Sequence, residues 1–448
     1  MAPFSVGCGG MWYAEEIVDK GDRSARRRGG QRTRSRGSPL VLGMALEMAR
    51  LANEALARKK LPQATIVGRA RRAAESMDEL SLLAEGPLSI VEVAAALRSA
   101  TACSSVTIEG SDRVSMRFEG GGPAHLRVVP PKQYLEALVR DTGAQAHVAW
   151  LEWLAKRARG LHHACSIVRT EQELYALLGV PFAPPELRER PTPLVPTLIE
   201  GVRGIFHVHT TWSDGTASIA EMARAAANAG FAYVGISEHS QAANYAHGLD
   251  ATRLHAQRSE VELVRREVPE IVLLHGVEVD ILRDGSLDLG DATLAGLDFV
   301  VASVHTDLAM PAREMTARLV RAVTHPLVTI LGHPTGRLLP GRRGYEFDLD
   351  AVCDAAVDND TFLEINANPQ RLDLGDVLIR RAAARGVQFA IDPDAHSVQG
   401  IGDSGLGLAL ARRARLASSQ VLNSRGPRAV AEYLMARRKK AKQALALG

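Results

Sequence analysis

Six apolar stretches in the second half of this chain run directly into histidine, aspartate or glutamate. The first gives His207-Val-His209 and then Asp214, and the second gives Glu238-His239. Later ones give Glu278 and Asp280, then His305, then His333, and finally Asp392, Asp394 and His396. Residues i and i+2 of a strand point to the same face, so His207 and His209 can grip one ion together. Asp394 and His396 can do the same, or serve two ions. A single strand-end histidine is more simply a hydrogen-bonded structural residue. Five strand ends bearing histidine, with carboxylates beside them, are the pattern of a metal centre. Imidazole and carboxylate donors together suit Zn²⁺, Mn²⁺ or Fe, and the lack of cysteine donors argues against a structural zinc. Paired ions of this kind lower the pKa of a bridging water and clamp both oxygens of a phosphate ester in line. Arg337, Arg342 and Arg343 follow closely on His333 and could hold substrate phosphates, a solvated loop being the alternative. Glu364-Ile-Asn366-Ala-Asn368 ends a further strand, with water or substrate positioning and simple packing both open to it.

Such a centre needs a scaffold that gathers six distant segments. From Gly204 on, short apolar strands alternate with helices. Strands are expected near Ile205–His209, Tyr233–Ser237, Ile271–Glu278, Phe299–Ser303, Val328–Leu331, Phe362–Asn366 and Gln388–Asp392. Seven βα units in about 240 residues imply a parallel sheet closed, or nearly closed, into a barrel; an open doubly wound sheet is the second choice. In a barrel the C-terminal ends of all strands converge on one face, where active sites sit.

The first half has a different rhythm. Residues 38–160 read as α and β elements: a helix over Leu40–Arg58, then strands near Ala64–Val67, Leu80–Ala84, Ser105–Glu109, Val114–Phe118 and Leu126–Val129. Gly110-Ser111-Asp112 fits a hairpin turn between two of these. Helices are expected at Lys132–Arg140 and His147–Arg159, and Thr170-x-x-Glu173 has capping-box form. Pro181 to Pro196 holds six prolines, which fix φ and lack a donor, so an extended linker and a domain boundary belong there. Residues 1–37 stand apart as an expected disordered basic tail. Lys20 to Arg36 carries eight basic residues against one acid and cannot bury an apolar face.

Bulk properties set outer limits. The chain has 448 residues, 46% hydrophobic and 23% charged, with a net charge of +3, so any argument for nucleic acid must be local. Cys8, Cys103, Cys165 and Cys353 form no CxxC pair, a scatter that suits a reducing cytosol. No apolar h-region opens the chain and no uncharged apolar run reaches 18 residues, so a soluble, cytoplasmic protein is expected.

The ordered set His207-x-His209, Asp214-Gly215, Glu238-His239, Glu278-Val-Asp280, Ser303-Val-His305, Gly332-His333-Pro334 and Asp394-Ala-His396 resembles the polymerase and histidinol phosphatase (PHP) family. The resemblance implies a distorted (β/α)7 barrel holding two to three divalent transition ions. It implies that His207, His209, Glu278 and Asp394 hold the first ion. Glu278 would bridge to the second, with His305 and His333, while Asp214, His239 and His396 would hold the third. Together these nine are the expected catalytic and metal-binding residues. Glu238 departs from the aspartate usual there.

Upstream, Val67-Gly-Arg-Ala-Arg71-Arg72, Leu126-Arg-Val-Val129-Pro-Pro131, Thr142-Gly143 and Tyr175 through Arg188 resemble a bacterial family X DNA polymerase, in which a palm and thumb precede a PHP domain. The resemblance covers roughly residues 38–440. It implies a nucleotidyltransferase-like palm over 38–160, a thumb remnant and linker over 161–199, and the PHP domain over 200–440. Nucleotidyl transfer needs an Asp-x-Asp pair on one strand face and a third carboxylate on a neighbour. Here Glu79 pairs with Ser81, and His125 stands at the third position, so the palm is expected to be inactive. The function implied is a metal-dependent phosphoesterase acting on single-stranded DNA or 3′ ends, as a 3′-5′ exonuclease or end-processing enzyme in repair. A small-molecule phosphatase of the histidinol-phosphate type is the second expectation. A binding scaffold with a vestigial site is the third, and the complete ligand set argues against it.

Overall fold

A computed structural model of the chain describes residues 39–87, 89–100, 103–189 and 198–447. The expected basic tail and the middle of the proline-rich linker lie outside the described residues.

The N-terminal half is built on a five-stranded sheet. Its strands run in the order Thr65–Val67, Leu80–Glu85, Pro123–Val129, Arg113–Phe118 and Cys103–Glu109. Alternation along the second strand decides the layers: Leu80, Leu82 and Ala84 belong to a core with the helices Leu42–Arg58 and Ile90–Arg98, while Leu83 packs with Val129 and Ala137. The hairpin at Gly110 forms as expected, with Gly110 at φ 69°. Leu80–Glu85 and Pro123–Val129 pair in parallel with Ser81 opposite His125. The helices Pro131–Thr142, Gln145–Ala155, Leu161–Ser166 and Glu171–Leu177 then share a small core of their own around Leu151, Leu161 and Tyr175, so helices on both sides of residue 160 pack as one cluster. Thr170 caps the last of them by accepting from Glu173 N at 3.1 Å.

The C-terminal half is the ring of parallel strands expected from the alternation. Gly204–Ile205, Tyr233–Ile236 and Val272–His275 pair in that order. Glu278–Asp280, Val301–Ser303, Ile330–Leu331, Phe362–Asn366 and Phe389–Asp392 pair as a second run. Parallel bridges His239–Glu278 and Val208–Ala395 join the two runs into a circle. The single strand expected over Ile271–Glu278 is interrupted at Gly276, where a Cβ would lie 2.4 Å from the Phe299 ring, so its two halves pair with different neighbours. That interruption distorts the ring. The helix Pro427–Leu447 covers its lower end, burying Val430 and Leu434 against Phe206, Tyr233, Phe299 and Phe362. No helix of the described residues is long and apolar enough to cross a membrane.

The halves meet at the loop after Phe362–Asn366. Gly43 approaches it so closely that a Cβ there would sit 2.6 Å from Pro369 O. Arg337 donates to Glu75 Oε2 at 3.2 Å, and Arg413 joins Glu189 Oε1 at 3.0 Å. Gly43→Ala should therefore lower the thermal midpoint. Displacing backbone costs about 1–3 kcal/mol, against the roughly 1 kcal/mol that alanine gains over glycine in a helix. A midpoint unchanged or raised in a thermal melt would show that the halves do not meet at Gly43.

Candidate metal centre

The expected ligands lie at or just beyond strand ends, where the backbone leaves the ladder and side chains can turn inward, except Glu278, which opens the strand Glu278–Asp280. Two of the carriers show it in their dihedrals. His333 sits at φ 24° and Asp394 at φ 50°, left-handed conformations that cost about 1–3 kcal/mol each and persist where surrounding structure imposes them.

Glu278 lies at the centre, with 1% of its surface exposed. Its Oε1 is 3.3 Å from His207 Nε2, 3.3 Å from His305 Nε2 and 2.9 Å from His333 Nε2. Its Oε2 is 2.8 Å from His239 Nδ1 and 3.6 Å from His209 Nε2. Asp394 Oδ1 stands 3.6 Å from His207 Nε2 and 3.4 Å from His209 Nε2. On the outer side Asp214 lies 3.6 Å from His239 Nε2 and 3.4 Å from His396 Nε2. Asp214 and His396 are about one-third exposed, so the cluster opens to solvent on this side.

Among the described residues, three groups have donor atoms close enough to share an ion: His207, His209 and Asp394; His239, Glu278 and His305; and His209, Asp214, His239 and His396. All nine residues expected from sequence thus converge, and the groups overlap at His209 and His239. His333 joins through its contact with Glu278. Buried His207 Nε2, His209 Nε2 and His305 Nε2 have no partner in hydrogen-bond geometry, which fits lone pairs reserved for cations.

A second layer orients the first. His207 Nδ1 meets Glu364 Oε1 at 2.6 Å, and the His333 backbone donates to Glu364 Oε2 at 2.6 Å. His305 Nδ1 meets Asp280 Oδ1 at 2.8 Å. Such partners fix the ring and raise its basicity. Glu238 is buried and accepts from the Thr210 backbone at 3.1 Å and from the hydroxyls of Thr210 and Ser213, so it shapes the turn between His209 and Asp214. Asp392 accepts from Phe206 N at 2.7 Å; burial and then the charge of Glu364 push its carboxyl up to about 8.

The arginines divide differently from the sequence expectation. Arg337 spends its donors on Arg371 O, Leu372 O and Glu75, so it holds the loop and the domain contact. Arg342 donates to Gly336 O at 3.0 Å and Arg343 is exposed. The guanidinium that reaches the centre is Arg371, whose Nε lies 2.9 Å from Asp394 Oδ2. Its spacing from Asn366 and Asn368 resembles no ligand pattern, and an arginine in a loop is common. The only signal was its place after a strand end.

Electrostatics follow from this crowding. Burial opposes charge on His207, yet Glu364, Glu278 and Asp394 overcome it and hold its pKa well above the usual value. His239 is likewise raised to about 10 against burial, by Glu278 and Asp214. His209 falls to about 3 through burial and repulsion from His396 and His239, and His333 to about 4 through burial and Arg371. Glu278 and Asp394 stay ionised despite burial, because the surrounding imidazoles pull their pKa values far down.

Residues 206–368 match the PHP domain. The DNA polymerase/3′-5′ exonuclease PolX of Bacillus subtilis is 35% identical over 415 residues, covering 88% of this chain and 72% of that protein. A probable phosphatase of Caldanaerobacter subterraneus is 27% identical over 190 residues, 40% of this chain and 72% of that one. Another from Thermoanaerobacter is 29% identical over 190 residues, 40% of this chain and 75% of its own.

Two outcomes check the arrangement. Ligation needs unprotonated imidazole, and His207, His239, His305 and His396 all have raised pKa values. Mn²⁺ added to metal-stripped protein at neutral pH in dilute buffer should therefore release at least about one proton per chain; binding without acidification would contradict it. Glu364→Gln should weaken metal affinity about 10–100-fold in a chelator competition, and unchanged affinity would remove Glu364 from the orienting layer.

Proposed function

We propose that this chain, which belongs to the family of the DNA polymerase/3′-5′ exonuclease PolX and is a metal-dependent phosphoesterase, removes nucleotides or blocking groups from the 3′ ends of DNA in repair. The observation that carries the reading is the Glu278 carboxylate set among five imidazoles, with Asp394 and Asp214 on either flank. His207, His209, Glu278 and Asp394 would hold one ion, Glu278, His305 and His333 a second, and Asp214, His239 and His396 a third. Bound ions of this kind would supply a hydroxide at neutral pH and neutralise charge on the phosphate. Arg371 and Arg342 would draw the phosphate toward them, and the low dielectric of the buried site would strengthen each attraction.

The N-terminal half supports DNA over a small ester, because the similarity to PolX runs through both halves. Its own chemistry is lost. Ser81 and His125 stand side by side on parallel strands, and Glu79, half exposed, lies 3.4 Å from His125 Nδ1. Asp112 and Asp141 line the same pocket but are paired with Arg127 at 3.3 and 3.2 Å, so Glu79 is left with an imidazole where two Mg²⁺ ions would need carboxylates against a triphosphate. The second reading, a small-molecule phosphatase, is favoured by the probable phosphatases, which match over 190 residues, 40% of this chain.

Purified protein with Mn²⁺, given 3′-labelled DNA and small phosphomonoesters in parallel, separates these readings. Release of terminal nucleotides or 3′ phosphate at far higher kcat/KM than hydrolysis of the small esters supports the proposal; hydrolysis of the esters alone overturns it. Chelation or Glu278→Ala should abolish the DNA activity. No template-directed dNTP incorporation is expected with Mg²⁺ or Mn²⁺, and primer extension that survives Glu278→Ala would show the palm to be active.

A further inference from the structure

The residues between His239 and the helix Ala251–Glu267 fold into a tightly held loop. Leu249 N donates to His239 O at 2.7 Å, and Ser240 and Leu249 form a parallel bridge. Gly248 lies so close to the start of the loop that a Cβ would be 1.9 Å from Ser240 O. Asp288 accepts from Ala242 N at 2.6 Å, and Arg253 donates to Gly248 O at 3.1 Å. Ala243, Ala246 and Leu249 are buried. With its small residues turned in and its carbonyls tied down, the loop has little freedom to move.

On this rigid base Tyr245 is turned outward, 68% exposed. Its ring centroid is 6.3 Å from that of His239, at an angle of 55°. Scattered exposed aromatics need no explanation. This one stands beside a ligand of the third group, on the side where Asp214 and His396 open to solvent. Two cations complete the mouth. Arg371 bonds Asp394, and Arg342 lies within electrostatic range of both Arg371 and Tyr245, burial and then repulsion from Arg371 pulling its pKa down. A fixed aromatic face beside His239, with guanidinium groups of Arg371 and Arg342 acting on the same region, matches the parts of a nucleotide: a flat base, and a phosphate some ångströms away.

We propose that Tyr245 is the stacking platform for the base of the terminal nucleotide whose phosphate enters the metal centre. The proposal rests on the DNA reading above. Stacking recognises every base through its π-face, so the platform favours an end that carries a base over one that lacks it, without choosing among the four. Because the loop is already ordered, the ring docks the base with little further loss of freedom.

The test uses full-length protein with Mn²⁺ and two 3′-labelled single strands that differ only at the last nucleotide, thymidine in one and an abasic tetrahydrofuran residue in the other. Wild type should prefer the thymidine end by on the order of tenfold in kcat/KM, mainly through KM. Tyr245→Ala should bring that ratio near one, and Tyr245→Phe should keep it, since the ring and not the hydroxyl does the stacking. Metal content, measured alongside, should be equal in all three. A ratio unchanged in Tyr245→Ala, or lost equally in Tyr245→Phe, overturns the platform while leaving the nuclease reading intact. Wild type that cleaves neither strand yet hydrolyses small phosphomonoesters overturns the DNA reading and the platform with it.

Discussion

Two oxygens of one buried carboxylate, that of Glu278, face nitrogens of five histidines that come from four different strand ends. Oε1 looks toward His207, His305 and His333, and Oε2 toward His209 and His239, so the group divides its environment into two halves. A buried charge is tolerated only with partners, and here the partners are imidazoles placed so that they could hold metal ions. Each strand must therefore end at the depth that lets its histidine reach this point. The broken strand at Gly276 and the left-handed residues His333 and Asp394 are the backbone's accommodation of that demand.

The N-terminal half is tied to the same demand. Glu75 meets Arg337, Arg337 holds the carbonyls of Arg371 and Leu372, and Arg371 bonds Asp394. Gly43 packs on Pro369 in the same loop, and one continuous apolar core runs from the N-terminal helices into the barrel. The N-terminal half thus braces the loop that carries a guanidinium to the metal centre.

Most of this centre could be read from sequence, because metal chemistry restricts its donors to a few residue types and strands fix their spacing. His207-Val-His209 and Asp394-Ala-His396 announce themselves by period two, and the remaining ligands by their place after apolar runs. The alternation of strands and helices likewise foretold the ring. What sequence did not distinguish depends on which way a loop turns. Arg337 and Arg371 are chemically alike, yet one is spent on the domain contact and the other faces Asp394. Tyr245 looks like any loop aromatic until the burial of Ala243, Ala246 and Leu249 forces it outward. The interruption at Gly276 depends on where the Phe299 ring packs, a contact 23 residues away in sequence.

Glu278 is proposed to bridge two ions, not merely to lie buried among histidines. Anomalous scattering from crystals soaked in Mn²⁺ tests it directly. The account predicts two peaks about 3.5–4 Å apart on either side of Glu278, with a third beside Asp214, His239 and His396. In Glu278→Ala the bridged pair should be lost. A single peak in the wild type, or a pair that persists in the variant, would contradict the account.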